Sequence, residues 1–170
     1  MGYYVNTGFV RFHVKHENFD EAYRALCALN ADDTHKSGGR VGGSPMLKEK
    51  SSKSVAQHPD KWFAWMPWNY DEICRNLDDI LETLGFETEV DDAGDICGLT
   101  YNNKTGAEDL FLRTLAPWVE NGSIIVWNGE DGDIWADVFE GGELEVIHAD
   151  EVSRIIVEHV MNRKGTHDGV

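Results

Sequence analysis

The sequence predicts an α+β fold, with an antiparallel or mixed sheet and helices mainly on one face. Segments whose apolar side chains alternate with period two are interspersed with segments where they recur every three or four residues, in the order β-α-β-α-β-β-α-β-β-β-α. Short turns containing Gly and Asp join several strands, and such turns connect antiparallel neighbours. A ferredoxin-like arrangement is a candidate topology for this order. The length of 170 residues predicts one domain, 1–170, with a buried core.

The first two elements are predicted to be a strand over residues 3–15 and a helix over residues 19–30. In the strand, Val10, Phe12 and Val14 alternate with charged or imidazole side chains, which is typical of a strand with one buried face. In the helix, apolar side chains recur at intervals of three and four residues, as expected where one helical face packs on a core.

Residues 31–60 are predicted to form a flexible loop rich in Gly and Lys. The segment has too few large apolar side chains to offset the entropy of ordering it. Its basic side chains are Lys36, Arg40, Lys48, Lys50 and Lys53. Two interpretations stay open: solvated disorder, or pairing of these charges with the acidic part of the chain.

Residues 61–70 are strongly aromatic. We predict a strand over residues 62–66 that ends at Pro67. Trp62, Ala64 and Met66 would share one face of it, and Phe63 and Trp65 the other. Large side chains on both faces indicate either burial on both sides, or burial on one side and a binding surface on the other.

The next predicted element is a helix over residues 70–84, which Gly85 ends. Strands over residues 86–90 and 96–101 then form a hairpin around an acidic turn.

The last part of the chain is predicted to contain a helix, three strands and a second helix. The first helix opens at a capping pair, Thr105 and Glu108. The strands, over residues 123–127, 134–139 and 144–148, follow as an antiparallel meander, and the final helix covers residues 151–162. Residues 163–170 are expected to form a frayed tail.

Charge is distributed very unevenly along the chain. Residues 67–151 hold 3 Lys/Arg and 22 Asp/Glu, a net charge of −19, whereas the whole chain carries −16. Such a charge attracts basic surfaces, including those that ordinarily hold nucleic acid, and it disfavours direct nucleic-acid binding by the acidic part. The plain alternative is that these carboxylates only keep the protein soluble.

From this charge we expect a partner-binding surface made of aromatic anchors and carboxylates. Trp and Tyr dominate binding hot spots, and carboxylates steer the approach of a cationic partner. The predicted partner-binding residues are Trp62, Trp65, Trp68, Tyr70, Asp71, Asp78, Asp79, Glu82, Asp91, Asp92, Asp95, Glu130, Asp131 and Asp133.

No catalytic residue, metal site or cofactor is predicted. The acidic turns at 91–95 and 130–133 offer oxygen ligands for Ca²⁺ or Mg²⁺, but neither continues with the spacing of an EF-hand loop. Asp and Gly also form such turns without any metal. The histidines are scattered, and none lies in a recognisable nucleophile motif.

Several short segments together resemble small accessory proteins of bacteriophages, prophages and plasmids. These segments are residues 1–5, 61–67, 85–87, 103–106, 108–111 and 129–132, together with Trp135. That group has no assigned activity. The resemblance implies a gene of a mobile element, and such genes often encode inhibitors of host defence, including anti-CRISPR and anti-restriction proteins.

The expected function is therefore that of an acidic, non-enzymatic protein of phage or mobile-element origin in the host cytoplasm. It would inhibit a basic host protein that handles nucleic acid or acts in defence, in the manner of a DNA mimic. The alternative is a small enzyme or ligand-binding domain, with an aromatic pocket under the 31–60 loop lined by Trp62, Trp65 and Tyr101. The sequence does not predict the oligomeric state.

Overall fold

The computed structural model describes residues 2–38 and 60–165. The strands are β1 (Tyr4–Arg11), β2 (Phe86–Val90), β3 (Ile96–Lys104), β4 (Ser123–Gly129), β5 (Ile134–Glu140) and β6 (Glu143–His148). The α-helices are α1 (Phe19–Leu29), α2 (Tyr70–Ile73), α3 (Leu77–Leu84), α4 (Glu108–Leu115) and α5 (Ala149–Gly165). Single 3₁₀ turns lie at His16–Asn18 and Ala116–Trp118.

The six strands form one antiparallel sheet in the order β2-β3-β1-β4-β5-β6, which confirms the α+β prediction. The first four strands, with α1 and α4 as their crossovers, follow the βαββαβ order of a ferredoxin-like fold. Strands β5 and β6 extend this sheet beyond β4 as the predicted meander.

Two apolar cores lie on opposite faces of the sheet. The larger core packs α1 to α4 against one face and includes Phe12, Leu26, Phe63, Phe111 and Trp127. The smaller core packs α5 against β4, β5 and β6 on the other face. Four of the five α-helices described therefore cover the same face, as the sequence predicted.

The hairpin between β2 and β3 forms because the turn residues bond to one another. The side chain of Asp91 accepts hydrogen bonds from the backbone N–H groups of Ala93 and Asp95. Gly94 supplies the positive φ of 87° that the turn requires. The turn between β4 and β5 is built in the same way, with Asp131 accepting from the N–H of Asp133 and Gly132 at a φ of 92°.

The prediction of a strand over residues 62–66 is wrong. Among residues 2–38 and 60–165, the one strand-like pairing of this segment is a single bridge between Trp62 and Ser37. The chain then turns, with the N–H of Met66 donating to the carbonyl of Phe63, and Trp65 adopts a φ of 67°. Phe63 and Met66, three residues apart, are both buried in the core. The segment is therefore a loop that these two side chains anchor, and it does not lie along the sheet.

The prediction of one helix over residues 70–84 is also wrong. Helix α2 ends at Ile73 because Cys74 is extended, with a ψ of 129°. Helix α3 begins after Asn76, whose side chain accepts the N–H of Asp79 as an N-cap. Ile73, at the end of α2 beside this break, is exposed. Gly85 ends α3 in the left-handed conformation, as predicted.

The ends of the predicted loop and tail lie partly within the described residues. Lys36, near the start of the loop, buries its side chain over the Phe63 ring and donates to the Asp33 carboxylate at 2.7 Å. Helix α5 continues to Gly165, into the predicted tail. The remainder of both segments, residues 39–59 and 166–170, lies outside the described residues.

Candidate functional site

The edge of the sheet formed by α3, β2 and the β2–β3 turn is strongly acidic. Between residues 70 and 95 the chain has ten Asp/Glu and one basic residue, Arg75. We call the following group of carboxylates the acidic edge: Asp78, Asp79, Glu82, Glu87, Glu89, Asp91 and Asp92. Asp79 binds Arg75, and Asp78 accepts from the hydroxyl of Thr88. Glu82, Glu87, Glu89 and Asp92 are exposed.

The acidic edge also carries apolar surface. Ile73 is 53% exposed, and Val90, at the end of β2, is 57% exposed. Ile73 lines a shallow groove together with Cys74, Asp79, Glu82 and Thr83. The groove therefore joins an exposed aliphatic side chain to two carboxylates of α3. Glu87 and Glu89 alternate with Phe86 and Thr88 along β2 and project from the face of the sheet opposite α3.

The predicted carboxylates of turn 130–133 do not belong to this surface. Ile96, at the start of β3, bridges Val14, whereas Asn103 pairs with Val5, which in turn pairs with Gly129. The two acidic turns thus lie at opposite ends of the sheet, about 23 Å apart at ~3.3 Å per residue. In turn 130–133, Glu130 and Asp133 are exposed and Asp131 accepts a hydrogen bond from the hydroxyl of Tyr3.

The predicted aromatic anchors are divided between surface and core. Trp62 and Trp65 are 41% and 56% exposed, and Trp65 donates its indole N–H to the carbonyl of Thr105. This places Trp65 at the end of the sheet that holds turn 130–133. Trp68 is half-buried, and its carbonyl accepts from Asn30.

The structure corrects the role of Tyr70. Its side chain is fully buried, and its hydroxyl donates to the carbonyl of Leu26, so it is a core residue and not a partner contact. Asp71 beside it accepts from the buried side chain of Asn30 and also serves to hold the fold.

Two histidines that lie in no recognisable sequence motif, His13 and His16, surround Asp95. His13 Nε2 lies 3.0 Å from Asp95 Oδ2, and both the backbone N–H and Nδ1 of His16 lie 2.8 Å from Asp95 Oδ1. These donors, with the backbone N–H of His16 first, lower the pKa of Asp95 to about 2. The carboxylate of Asp91 lies in the same group as His13 and Asp95, with ligand atoms within 4.8 Å of one another. We call His13, His16, Asp91 and Asp95 the histidine cluster.

Backbone pairing fixes the histidine cluster in place. Val14 and Ile96 exchange two backbone hydrogen bonds, of 2.9 and 3.0 Å, and so hold His13 and Asp95 next to each other. The N–H of Asp91 donates to the carbonyl of Asp95, which closes the turn. No local sequence signal predicts this contact, because 82 residues separate His13 from Asp95.

A second set of acidic groups lies in a cleft between α4 and the sheet, lined by Glu108, Asp109, Trp127, Trp135, Asp137 and Val146. We call it the α4 cleft. Asp137 on β5 is 4% exposed and accepts the indole N–H of Trp127 at 2.8 Å. Burial raises the pKa of Asp137 to about 6, and burial also raises the pKa of Glu108.

The sequence of β5 contains a signal for Asp137. Within β5, Trp135, Asp137 and Phe139 alternate with residues of the opposite face, so Asp137 shares the side of two aromatic core residues. An acidic residue in such a position is a candidate for a shifted pKa.

The alternative function required a pocket shared by Trp62, Trp65 and Tyr101. Tyr101 is only 1% exposed, since it packs on Phe86 and Trp127 and its hydroxyl donates to the carbonyl of Lys104. It therefore does not line an open pocket with the two surface tryptophans. The α4 cleft has a volume of about 90 Å³, well below the ~300 Å³ at which pockets for small ligands begin.

Comparisons with protein-family models, with curated proteins and with solved structures found no match to this chain. None of the helices within residues 2–38 and 60–165 is both long enough and apolar enough to cross a bilayer.

Proposed function

We propose that this protein is a non-enzymatic binding protein that uses the acidic edge to occupy a basic, nucleic-acid-binding surface of a host protein. The observation that supports the proposal is the concentration of carboxylates on α3, β2 and the β2–β3 turn, against one guanidinium. The partner would be an enzyme of nucleic-acid metabolism or of defence, and its DNA-binding surface would be blocked. This partner class follows from the charge and from the resemblance to accessory proteins of mobile elements.

The proposed surface shares only Glu82, Asp91 and Asp92 with the residue set predicted from the sequence. It contains Glu82, Glu87, Glu89, Asp91 and Asp92, with Ile73 and Val90 as apolar contacts. Long-range attraction between the carboxylates and a basic partner speeds association, and burial of aliphatic side chains slows dissociation. Turn 130–133 and Trp65 lie at the other end of the sheet and are left out.

The chain offers a matched pair of variants for the test. Glu87 and Glu89 are exposed on edge strand β2, and Glu143 and Glu145 are exposed two residues apart on the opposite edge strand, β6. Glu87→Lys with Glu89→Lys reverses charge on the acidic edge. Glu143→Lys with Glu145→Lys makes the same change in net charge elsewhere.

The experiment immobilises wild type and both variants and applies a nuclease-treated bacterial lysate at low and at high salt. We expect a partner that wild type and the β6 variant retain and that the β2 variant loses, with affinity at least tenfold weaker for the purified partner. Duplex DNA should displace that partner. Equal retention by the two variants, or retention that is independent of salt, would contradict the proposal.

A further inference from the structure

The histidine cluster has the geometry of a metal site. His13 Nε2 and Asp95 Oδ2 are 3.0 Å apart, and two ligands bound at about 2.1 Å to one ion lie roughly 3.0–3.4 Å apart. A carboxylate oxygen of Asp91 completes a set of three ligand atoms, all within 4.8 Å of one another. The three side chains come from the end of β1 and from both ends of the β2–β3 turn.

We propose that His13, Asp91 and Asp95 bind a first-row divalent cation of the Zn²⁺ type. Ions of this type bind both imidazole nitrogen and carboxylate oxygen. Ca²⁺ and Mg²⁺ take oxygen ligands, so the imidazole of His13 disfavours them. The ion would take the place of the proton that His13 Nε2 shares with Asp95, and the ring proton would move to Nδ1. The imidazole of His13 is 30% exposed, so the ion has access from solvent.

Surrounding groups already hold the ligands in position. His16 donates its backbone N–H and Nδ1–H to Asp95 Oδ1, which leaves Oδ2 directed at His13. Asp91 Oδ1 is bound by the N–H groups of Ala93 and Asp95. Hydrogen bonds of this kind orient metal ligands, and their loss typically weakens metal affinity 10- to 100-fold. His16 is therefore a positioning residue.

Three protein ligands leave a fourth position of a tetrahedral ion for water or for another group. Glu120 Oε2 is 3.9 Å from His13 Nε2 and is the carboxylate next in reach. The inference is independent of the proposed function, because metal binding by the isolated chain needs no partner.

The test is calorimetric titration of the full chain, free of any histidine tag, with ZnCl₂ at pH 7. We expect one Zn²⁺ per chain for wild type, at least 100-fold weaker binding for His13→Gln, and roughly 10-fold weaker binding for His16→Gln. Asp133→Asn and His148→Gln serve as matched controls, since they alter an exposed acidic turn residue and an exposed histidine elsewhere. Both should bind as wild type does.

A second measurement needs no variant. On addition of Zn²⁺, the imidazole ¹⁵N resonances of His13 should shift at one equivalent, while those of His148 stay in place. The proposal is overturned if wild type shows no saturable Zn²⁺ binding, if His13→Gln binds as tightly as wild type, or if Ca²⁺ alone binds.

Discussion

The histidine cluster and the α4 cleft both hold carboxylates, and the protein treats them in opposite ways. Asp95 faces three N–H donors at the end of the sheet, and its pKa falls to about 2. Asp137 is buried against tryptophan with a single indole N–H as donor, and its pKa rises to about 6. At Asp95 the donors outweigh the effect of burial, whereas at Asp137 burial outweighs the single donor. The histidine cluster therefore stabilises a negative charge, and the α4 cleft stabilises a proton.

The largest expected change in the free energy of unfolding is that caused by Asp137→Asn. The native state binds the proton of Asp137 more tightly than the unfolded chain does, so stability falls as the pH rises from about 4 through 6. At pH 8 the buried charge costs roughly 2–3 kcal/mol, from ~1.4 kcal/mol per pKa unit. Asn keeps an acceptor for the indole of Trp127, so the variant should be more stable at pH 8 by up to that amount and no more stable at pH 4, measured by urea unfolding.

The control for that experiment is Glu140→Gln, an exposed acidic residue at the end of the same strand. It should leave the pH profile of unfolding unchanged. If the free energy of unfolding of Asp137→Asn ran parallel to that of wild type between pH 4 and pH 8, the charge of Asp137 would not destabilise the native state.

A smaller effect of the same sign is expected for Glu108→Gln. Burial raises the pKa of Glu108, yet its carboxylate also accepts the N–H of Gly106 at 2.6 Å, which Gln can still do. Because the charge of Glu108 also raises the pKa of Asp137, the double variant should gain less than the sum of the single gains at pH 8. Strict additivity in urea unfolding would place the two groups in separate electrostatic environments.

The smallest change in stability is expected for Asp95→Asn, and it should occur at acidic pH. The measurement is made in the presence of a chelator. A lowered native pKa contributes stability that is complete above about pH 4 and is lost as the pH falls towards 2. The variant should therefore show a flatter loss of thermal stability between pH 4 and pH 2. Asp92→Asn, an exposed neighbour in the same turn, is the control and should keep the wild-type slope.

The sequence predicted most of the sheet because its signals there are local. The Gly-containing turns specify hairpins from a few adjacent residues. The strand predicted over residues 3–15 is present only from Tyr4 to Arg11, and Val14 beyond it forms a single bridge to Ile96. The segment around Trp62 and Trp65 misled the prediction, since a run of aromatic side chains fits a two-sided strand as well as a loop anchored at two points. Predicting the break at Asn76 requires knowing that its side chain caps a new helix. The alternative, that the chain continues the preceding helix through Asn76, fits the sequence equally well.

The candidate site was less predictable than the fold. The carboxylates of the acidic edge follow from composition, but their separation from turn 130–133 depends on strand register. The contact of His13 with Asp95 depends on the pairing of β1 with the start of β3, which no periodicity specifies. Asp137 was within reach of sequence reasoning, since an acidic side chain on the apolar side of a strand is unusual by itself.

Within the described part of the chain, β2 is the last strand at its side of the sheet, and it carries the exposed residues Glu87 and Glu89. A second copy of the chain that added its own β2 alongside would set glutamates against glutamates at the ~5 Å spacing of paired strands, which opposes self-assembly through this side. A strand bearing lysine or arginine would instead place positive charges opposite these glutamates, and the attraction would favour pairing. The same two side chains would therefore oppose pairing with an acidic strand and favour pairing with a basic one.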